Sequence, residues 1–392
     1  MIEELDQKIL LLLLEDPFRS VNDVTKSLEV SFKTVNNRIN NMKEKGIIFK
    51  DLPINDPILG NRVKTHVSAY INTNNLGLIR HHVIFGNIQK DVLKKLELFC
   101  DIHPYTTYRS RFINNSFGLY AQFVFPPILH KEMLDLYETI CEKYQISTKF
   151  IISTDEYINI HPNLFYWKNL KNYWNIINKR ETENLSMFEF FWNNYLEEKE
   201  NGLIVNKVET MKPMNMKLSP LHAKIIRELT INGNISISDL STYYDRDKST
   251  ISRHVSNIKA KYIRHAVLRF NPTEFDFNTF RIIIGKINST GKITKEAIQE
   301  FISTQKFPFY GYMIFSKDEY LLFVTTNNIH YQQIYNFMWE NSTVNTVQTF
   351  ELVFEKSMRY RFYNGNFLED GRFNTDRNYY FEDPLTQLNK MG

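Results

Sequence analysis

Two short runs of polar and basic residues recur in the chain at an offset of 216 residues. Asn, Arg and Lys side chains fit the hydrogen-bonding edges of adenine and guanine, and Ser or Thr near a helix start suits phosphate oxygens. For either run alone, a solvated helix face is the alternative interpretation. The candidate nucleic-acid contacts are Lys33, Thr34, Asn36, Asn37, Arg38 and Asn41 in the first run, and Lys248, Ser249, Thr250, Ser252, Arg253, His254 and Asn257 in the second.

Both runs belong to a longer internal repeat. Residues 5–48 and 221–264 align without gaps, so that Leu5–Leu10 returns as Leu221–Ile226. Apolar positions fall on apolar positions throughout, while the polar residues between them differ. A repeat of this kind indicates two copies of one small folding unit, and the differing polar residues predict two half-sites of unequal sequence.

The unit is predicted to contain three helices followed by a β-wing. Apolar periodicity predicts a helix over residues 2–15, which must end before Pro17. Ser20 and Ser31 are good N-caps for the second and third helices, and Gly46 is a good C-terminal residue for the third. The residues of the third helix that are predicted to be buried are Val35, Ile39 and Met42, with Ile251, Val255 and Ile258 in the second copy.

The sequence after each unit predicts a βαββαβ order, which is typical of a ferredoxin-like domain. Strand and helix patterns alternate in this order over residues 78–157, and similar segments return near residue 282 at an offset of 199–200. The predicted fold class is therefore α+β, with two winged helix-turn-helix domains that are each followed by a ferredoxin-like domain.

The predicted domains cover the whole chain. Between the halves lie three of the four tryptophans, in amphipathic stripes that predict linker helices packed on the domains, and the polar, aromatic tail is predicted to pack on the last sheet. The boundaries are winged helix 1–63, ferredoxin-like 64–157, aromatic-rich helical linker 158–216, winged helix 217–272, ferredoxin-like 273–356 and C-terminal extension 357–392.

Charge is distributed unequally between the two copies. Residues 1–50 hold eight Lys or Arg against eight Asp or Glu, whereas residues 217–270 hold ten against four. A local basic patch favours a polyanionic partner, with the second copy as the stronger candidate. Basic residues at or near the wings are further candidates for phosphate contacts, namely Arg62, Lys64, Lys261, Arg264 and Arg269.

Other functional classes have little support. Cys100 and Cys141 lack metal-ligand spacing, so neither a metal nor a cofactor is predicted. The longest early apolar run has six residues, which predicts a cytoplasmic protein with no membrane partner. The sequence lacks the common catalytic and nucleotide-binding motifs, namely GxGxxG after a strand, the P-loop, HExxH and GxSxG. The chain is therefore not predicted to be an enzyme.

Several segments resemble the leucine-responsive, or feast/famine, transcription regulators. The resemblance lies in Leu5–Leu10, Glu15-Asp16, Val35–Arg38, Lys45–Ile48 and Ile58–Gly60, and the βαββαβ unit is similar to that family's effector-sensing domain. It implies a double-stranded DNA partner, and a small-molecule effector as a further candidate. Because the family protein corresponds to half of this chain, it also implies a pseudo-dimer within the chain, with further homodimerisation as a candidate.

The chain departs from the family pattern at two places. Glu29 and Asp245 stand where the family has glycine in the helix-turn-helix turn. Glycine is also missing from the effector-loop pattern, where Ser316 and Lys317 stand. The resemblance implies effector-binding candidates at Ser316, Asp318 and Tyr320.

Two alternative functions remain open at the level of sequence. The sirohaem decarboxylases are similar to the predicted fold, and Arg109, Arg111 and His103 are the candidates to hold an anionic tetrapyrrole. The second copy carries Phe309, Tyr310 and Tyr312 in the corresponding region instead of basic residues. The other alternative is a protein-interaction scaffold with degenerate winged helices.

Overall fold

The structure of the protein is a computed structural model. It describes residues 3–50, 52–56, 60–63, 67–114, 116–154, 156–160, 187–202, 218–275, 277–288, 294–304, 310–317, 319–343, 346–360 and 366–390. The chain divides into two compact units. The larger unit comprises Leu12–Ser153, Met211–Phe270 and Val353–Gly392, and the smaller unit comprises Met1–Leu11, Thr154–Thr210 and Asn271–Leu352.

The elements are numbered along the chain. The described α-helices are α1 (Glu4–Glu15), α2 (Val21–Leu28), α3 (Phe32–Glu44), α4 (Lys90–Ile102), α5 (His130–Tyr144), α6 (Met187–Glu200), α7 (Pro220–Ile231), α8 (Ile237–Tyr244), α9 (Lys248–Lys261), α10 (Lys295–Thr304), α11 (Asn328–Glu340) and α12 (Asp383–Lys390). The described strands are β1 (Leu52–Asp56), β2 (Gly60–Val63), β3 (Val67–Ile71), β4 (Ile79–Gly86), β5 (Thr106–Ile113), β6 (Phe117–Phe125), β7 (Thr148–Thr154), β8 (Glu156–Ile160), β9 (Ile263–Leu268), β10 (Thr279–Lys286), β11 (Tyr310–Ser316), β12 (Glu319–Thr326), β13 (Gln348–Leu352) and β14 (Met358–Arg359).

The first helical unit forms as its caps predict. The Ser20 hydroxyl accepts the Asp23 N–H, and the Asp23 carboxylate accepts the Ser20 N–H, so this capping box begins α2. Ser31 caps α3 in the same way through the Thr34 N–H. Gly46 follows α3 with a φ of 71°, a left-handed conformation that glycine adopts without steric cost. After it, β1 and β2 pair as an antiparallel wing.

The turn between the second and third helices keeps its geometry without glycine. Glu29 and Asp245 have φ values of 56° and 47°, in the left-handed region. Their N–H groups bond back to the carbonyls of Thr25 and Ser241, respectively, which closes α2 and α8. Both copies therefore make the same turn, although a side chain in this conformation carries a steric cost that glycine avoids.

A four-stranded sheet in the larger unit has the predicted βαββαβ order, formed by β4, α4, β5, β6, α5 and β7. Its strand order is β7-β4-β6-β5, and β14 pairs antiparallel with β5 through Met358 and Arg359. Apolar residues of α4 and α5 pack on this sheet around Phe85, Phe99 and Phe123, which are fully buried.

The smaller unit contains the second run of the same element order, formed by β10, α10, β11, β12, α11 and β13. Its strand order is β13-β10-β12-β11-β8. The predicted helical linker is wrong at its start, because Glu156–Ile160 forms the edge strand β8 and pairs antiparallel with β11. Tyr and Ile, which make up three of its five residues, have high β propensity.

The aromatic linker stripes have two different outcomes. Phe191 and Tyr195 of α6 are buried against Phe301 and Phe337 of the smaller unit, as packing helices should be. The stripe formed by Tyr166, Leu170, Tyr173, Trp174 and Ile177 lies outside the described residues.

The prediction that the tail packs on the last sheet is wrong. Tyr380, Phe381 and Leu388 belong to the core of the first βαββαβ domain in the larger unit. The Tyr380 ring stacks on Tyr105 with their centroids 5.7 Å apart. These apolar residues recur at helical spacing, so α12 and the π-helical turn before it bury one face on that core.

Candidate nucleic-acid interface

The third helix of the first unit presents a polar face to solvent. Val35, Ile39 and Met42 are buried, which anchors the opposite face of α3. The candidates around them differ in exposure: Lys33, Thr34, Asn37 and Asn41 are exposed, whereas Asn36 and Arg38 are half-buried. The Thr34 N–H and hydroxyl are both engaged by Ser31, so Thr34 serves the helix cap.

The third helix of the second unit repeats this arrangement with a stronger cap. Asp247 precedes α9, and its carboxylate accepts hydrogen bonds from the Ser249 hydroxyl at 2.5 Å and the Thr250 N–H at 2.7 Å. These bonds, with that of Ser249 first, hold the pKa of Asp247 well below its usual range. The negative charge at this helix start opposes the phosphate contact predicted for Ser249 and Thr250, and this cap was not among the sequence-based predictions.

One face of α9 remains directed to solvent. Ile251, Val255 and Ile258 are buried. The exposed candidates on the opposite face are Lys248, Ser249, Ser252, Arg253 and Asn257. Residue types that suit base edges are therefore available on this face at Lys248, Arg253 and Asn257.

His254 is committed to a contact inside the second unit. Its Nδ1 lies 2.8 Å from Nε2 of His222, near the start of α7, and the two rings pack edge to face. Burial, the nearby His254 and Lys261 together lower the pKa of His222. The pair therefore joins α7 to α9, a role that the sequence analysis did not assign to either histidine.

Acid is expected to weaken this unit through His222. Because the folded chain keeps His222 neutral to a lower pH than the unfolded chain does, the unfolded state binds more protons below about pH 6.5 and stability falls as the pH decreases. His222→Gln should therefore lose less stability than the parent chain between about pH 7.5 and about pH 5. Thermal unfolding at both pH values measures the difference, and equal losses in the two proteins would contradict it.

A two-stranded antiparallel sheet joins the two helical units within the larger unit. Strand β3, which follows the first wing, pairs with β9 of the second copy in a register that includes Val67 with Leu268 and Ala69 with Ala266. Ile48 and Phe270 extend the contact as a β-bridge. The N–H of Gly233, after α7, also donates to the Val67 carbonyl at 2.9 Å, where a Cβ would collide with Val67.

A side-chain contact reinforces this junction. The Lys259 ammonium of α9 lies 3.9 Å from the centroid of the Phe18 ring, which follows α1. Partial burial lowers the pKa of Lys259, in keeping with its position over an apolar ring. Since Phe18 and Lys259 come from the two copies, α3 and α9 are held in one compact unit.

The predicted wing contacts are only partly described. The side chains of Arg62 and Arg264 and all of Lys64 lie outside the described residues, and Lys261 is exposed. Arg269 is directed to another partner, because its Nε donates to the Ser68 hydroxyl at 3.2 Å and its Nη2 donates to the Tyr70 phenol at 3.2 Å.

The two arginines that were candidates for a tetrapyrrole are paired with carboxylates. Arg109 makes two hydrogen bonds with Asp101, at 2.9 and 3.1 Å, and one with Glu97 at 3.1 Å. Arg111 makes two more with Glu97, at 2.7 and 2.5 Å. Two positive charges thus face two negative charges. Burial opposes the charge on Arg109, but the bonds to Asp101 outweigh it and raise the pKa of the guanidinium.

His103 is a core residue. It is almost completely buried between aromatic rings, with Phe99 and Phe123 centroids at 5.0 and 5.3 Å. Its Nδ1 accepts the Tyr105 N–H. Burial lowers the pKa of His103 to about 3, so the ring is neutral near pH 7 and offers no charge to an anion.

The effector-binding candidates differ in how deeply they are buried. Ser316 is half-buried at the end of β11, and Asp318 lies outside the described residues. Tyr320 is fully buried, and its hydroxyl pairs with that of Ser342 at 2.9 Å. The backbone of Gly285 passes close to this ring, which leaves Tyr320 enclosed in the core of the smaller unit.

The last features to consider are metal sites, cysteines and membrane-spanning helices. Within the described ranges, no group of three or more His, Cys, Asp or Glu side chains is arranged to hold a metal ion. Cys100 and Cys141 are free thiols buried in the first ferredoxin-like core. No helix in the part of the chain that is described has the length and apolar character needed to cross a membrane.

Comparison with known proteins agrees with this architecture. Residues 2–48 match a family model described as winged helix-turn-helix DNA-binding. The crystal structure of the siroheme decarboxylase NirDL covers 98% of this chain and 100% of its own, with 10% identity and a TM-score of 0.51. The same enzyme in co-complex with an iron-uroporphyrin III analogue gives 10% identity, the same coverage and a TM-score of 0.52.

An AsnC family transcriptional regulator from Agrobacterium tumefaciens is 21% identical over 42% of this chain and 98% of its own, with a TM-score of 0.29. No curated protein matches the chain. The chain is thus an α+β protein with an N-terminal winged helix-turn-helix segment of a DNA-binding type, and it shares its fold with NirDL.

Proposed function

We propose that the protein is a sequence-specific regulator of transcription that binds double-stranded DNA with two unequal winged helices. The observation that carries the proposal is that α3 and α9, each with one buried apolar stripe and one polar face, belong to one compact unit joined by β3 and β9. Two reading helices held in fixed relation can contact two half-sites on one duplex at once.

The pairing of β3 with β9 supports an inverted arrangement of the half-sites. The two strands occupy similar places before their βαββαβ domains, since Ile71-Asn72 and Phe270-Asn271 lie at or just after their ends at an offset of 199. Antiparallel pairing of equivalent strands relates them by a local two-fold axis, as in a dimer of separate chains. We infer that the chain is a tandem duplication that acts as a covalent pseudo-dimer on an imperfect palindrome.

The two helices should read different bases. On α3 the outward candidates are dominated by Asn37 and Asn41, and asparagine pairs best with adenine. On α9 the exposed Arg253 and Lys248 favour guanine. We therefore expect an A·T-rich half-site under α3 and a guanine-containing half-site under α9.

Tetrapyrrole decarboxylation is less well supported, even though the fold is shared with an enzyme of that activity. The carboxylates of such a substrate need cationic partners, but Asp101 and Glu97 already neutralise Arg109 and Arg111. Neutral, enclosed His103 adds no charge. These residues do not fit the substrate. A protein-interaction scaffold also gains little support, because Phe191 and Tyr195 are buried in their own unit.

Selection from a random duplex library tests the proposal directly. The full chain is incubated with the library at near-physiological salt, with excess competitor DNA, and the bound fraction is sequenced. We expect an enriched motif of two unequal half-sites in inverted orientation. Weak, unselective binding that modest salt abolishes would reject the proposal, since phosphate contacts alone behave in that way.

The α9 half-site can be assigned with one substitution. Arg253→Ala should weaken binding to the selected site by about 1–3 kcal/mol and relax selectivity at one position, because the exposed guanidinium reads a base edge. Arg372→Ala is the matched control, since Arg372 is an exposed arginine that pairs with Asp370 and is not a residue of α9. Electrophoretic mobility shifts measure both. Equal affinities for the parent and Arg253→Ala would remove α9 from the interface.

A further inference from the structure

Two arginine side chains meet at the phenol oxygen of Tyr70 in the larger unit. Arg269 Nη2 donates a hydrogen bond to this oxygen at 3.2 Å, and Arg359 Nη1 donates a second. The Arg359 guanidinium carbon lies 5.4 Å from the Tyr70 ring centroid and 5.5 Å from that of Tyr108. Two guanidinium groups therefore donate to one oxygen atom.

Backbone pairing fixes each of these residues. Tyr70 lies on β3, and Arg269 follows β9, where its carbonyl accepts the Phe49 N–H at 2.9 Å. Arg359 lies on β14 and pairs with Tyr108 of β5. Because three separate elements hold the three side chains, the cluster is arranged before any ligand arrives.

Arg269 differs from the buried arginine of the neighbouring sheet. Arg109 has two carboxylate partners, Asp101 and Glu97. Arg269 is half-buried, and among the described residues it has no carboxylate partner, since its hydrogen bonds go to the hydroxyl groups of Ser68 and Tyr70. A partly desolvated guanidinium without a counter-ion favours the binding of an external anion.

The electrostatic field at the Tyr70 oxygen is positive, which also favours an anion. Burial alone raises the pKa of this phenol, but the charges of Arg269 and then Arg359 outweigh burial and lower the pKa to about 7. A phenol that ionises this readily lies in a positive field. An anion bound to the two arginines would oppose that field and raise the pKa of Tyr70 again.

We propose that Tyr70, Arg269 and Arg359 form a binding site for the phosphate group of a small metabolite. The guanidinium groups offer N–H donors in a fork geometry that suits the oxygens of a phosphate monoester, whose charge is about −1.5 to −2 near pH 7. The phenol adds a hydroxyl donor. Since β3 and β9 carry two of the residues, occupancy would act on the strands that join the winged helices, and this regulatory consequence rests on the proposed DNA-binding function.

Inorganic phosphate is the probe for a test on the full chain. The near-ultraviolet absorbance of tyrosinate is recorded against pH for the parent and for Tyr70→Phe in phosphate-free buffer. The parent should show one additional tyrosine that ionises close to pH 7, and saturating phosphate should shift that ionisation to higher pH. Calorimetric titration with phosphate should give an affinity at least tenfold lower in Arg269→Gln and in Arg359→Gln.

Control variants separate the site from general effects. Arg372→Gln removes an exposed arginine of the same unit and should bind phosphate like the parent. Arg269→Lys keeps the charge and should retain part of the affinity, which guards against loss through misfolding. No binding at millimolar phosphate, equal binding by folded Arg269→Gln, or acetate binding as tight as that of phosphate would each overturn the proposal.

The same preparations distinguish this proposal from the DNA-binding function. Arg253→Ala should bind inorganic phosphate like the parent, because Arg253 is not part of the cluster. A failed duplex selection with intact phosphate binding would reject the proposed function and leave this site in place. The opposite pair of results would reject this site and retain the proposed function.

Discussion

Arg109→Met is expected to lower the free energy of unfolding of the larger unit by about 3–5 kcal/mol. Methionine keeps most of the aliphatic volume but removes the charge, so Asp101 and Glu97 lose a partner in a mostly buried place. The Tyr360 hydroxyl, which also donates to Asp101, and the Lys356 carbonyl lose their contacts with the guanidinium as well. The effect is large because a buried carboxylate without its counter-ion is costly.

Urea denaturation with hydrogen–deuterium exchange in α4 and β5 measures this change. Arg372→Met is the control, because the exposed Arg372–Asp370 pair should contribute at most about 1 kcal/mol. Adding Asp101→Asn to Arg109→Met should restore part of the loss, since it removes a carboxylate that lost its partner. A loss no larger than that of the control would contradict the role assigned to this cluster.

Ile251→Ala is expected to destabilise the second helical unit by about 2–5 kcal/mol. Ile251 is fully buried and belongs to the core that includes Ile226 and Leu240, so truncation leaves a cavity beneath α9. DNA affinity should fall together with helix stability, in contrast to Arg253→Ala, which should leave stability nearly unchanged.

Two further substitutions serve as comparisons for the stability loss of Ile251→Ala. Ile251→Val should cost about 0.5–1.5 kcal/mol, because it removes a single methylene. Ser252→Ala, on the exposed face of the same helix, should change stability by no more than about 0.5 kcal/mol. Thermal unfolding that placed Ile251→Ala level with Ser252→Ala would show that Ile251 does not anchor the helix.

Local patterns allowed the helices and the βαββαβ order to be predicted. Ser20 and Ser31 marked true N-caps, and apolar spacing placed Val35 and Ile251 on buried stripes. N-caps and apolar stripes both depend on residues only a few positions apart, so they can be predicted from one sequence without knowledge of the tertiary structure. Glu29 was a departure from the family pattern, yet the turn is retained because other residues can adopt the left-handed conformation at some cost.

Long-range contacts were not predictable in the same way. No local pattern indicates that β3 pairs with β9, that Tyr380 packs on Tyr105, or that Arg269 reaches Tyr70. Within the candidate interface, the phosphate contacts of Ser249 and Thr250 stay a prediction, and the structure adds that Asp247 caps the same helix. That cap is predictable from the residue type of Asp247, whereas the distant contacts depend on tertiary structure.

The interleaved segments of the larger unit affect how the protein is synthesised. Strand β3 leaves the ribosome long before β9, so its backbone partners do not yet exist while the intervening segments are made. At about 5–20 residues per second this interval lasts on the order of ten seconds or more, with Ala69 and Ile71 of β3 not yet enclosed. The first helical unit is therefore expected to mature only after the second has been translated, and a nascent-chain chaperone would find its binding site in this unpaired strand.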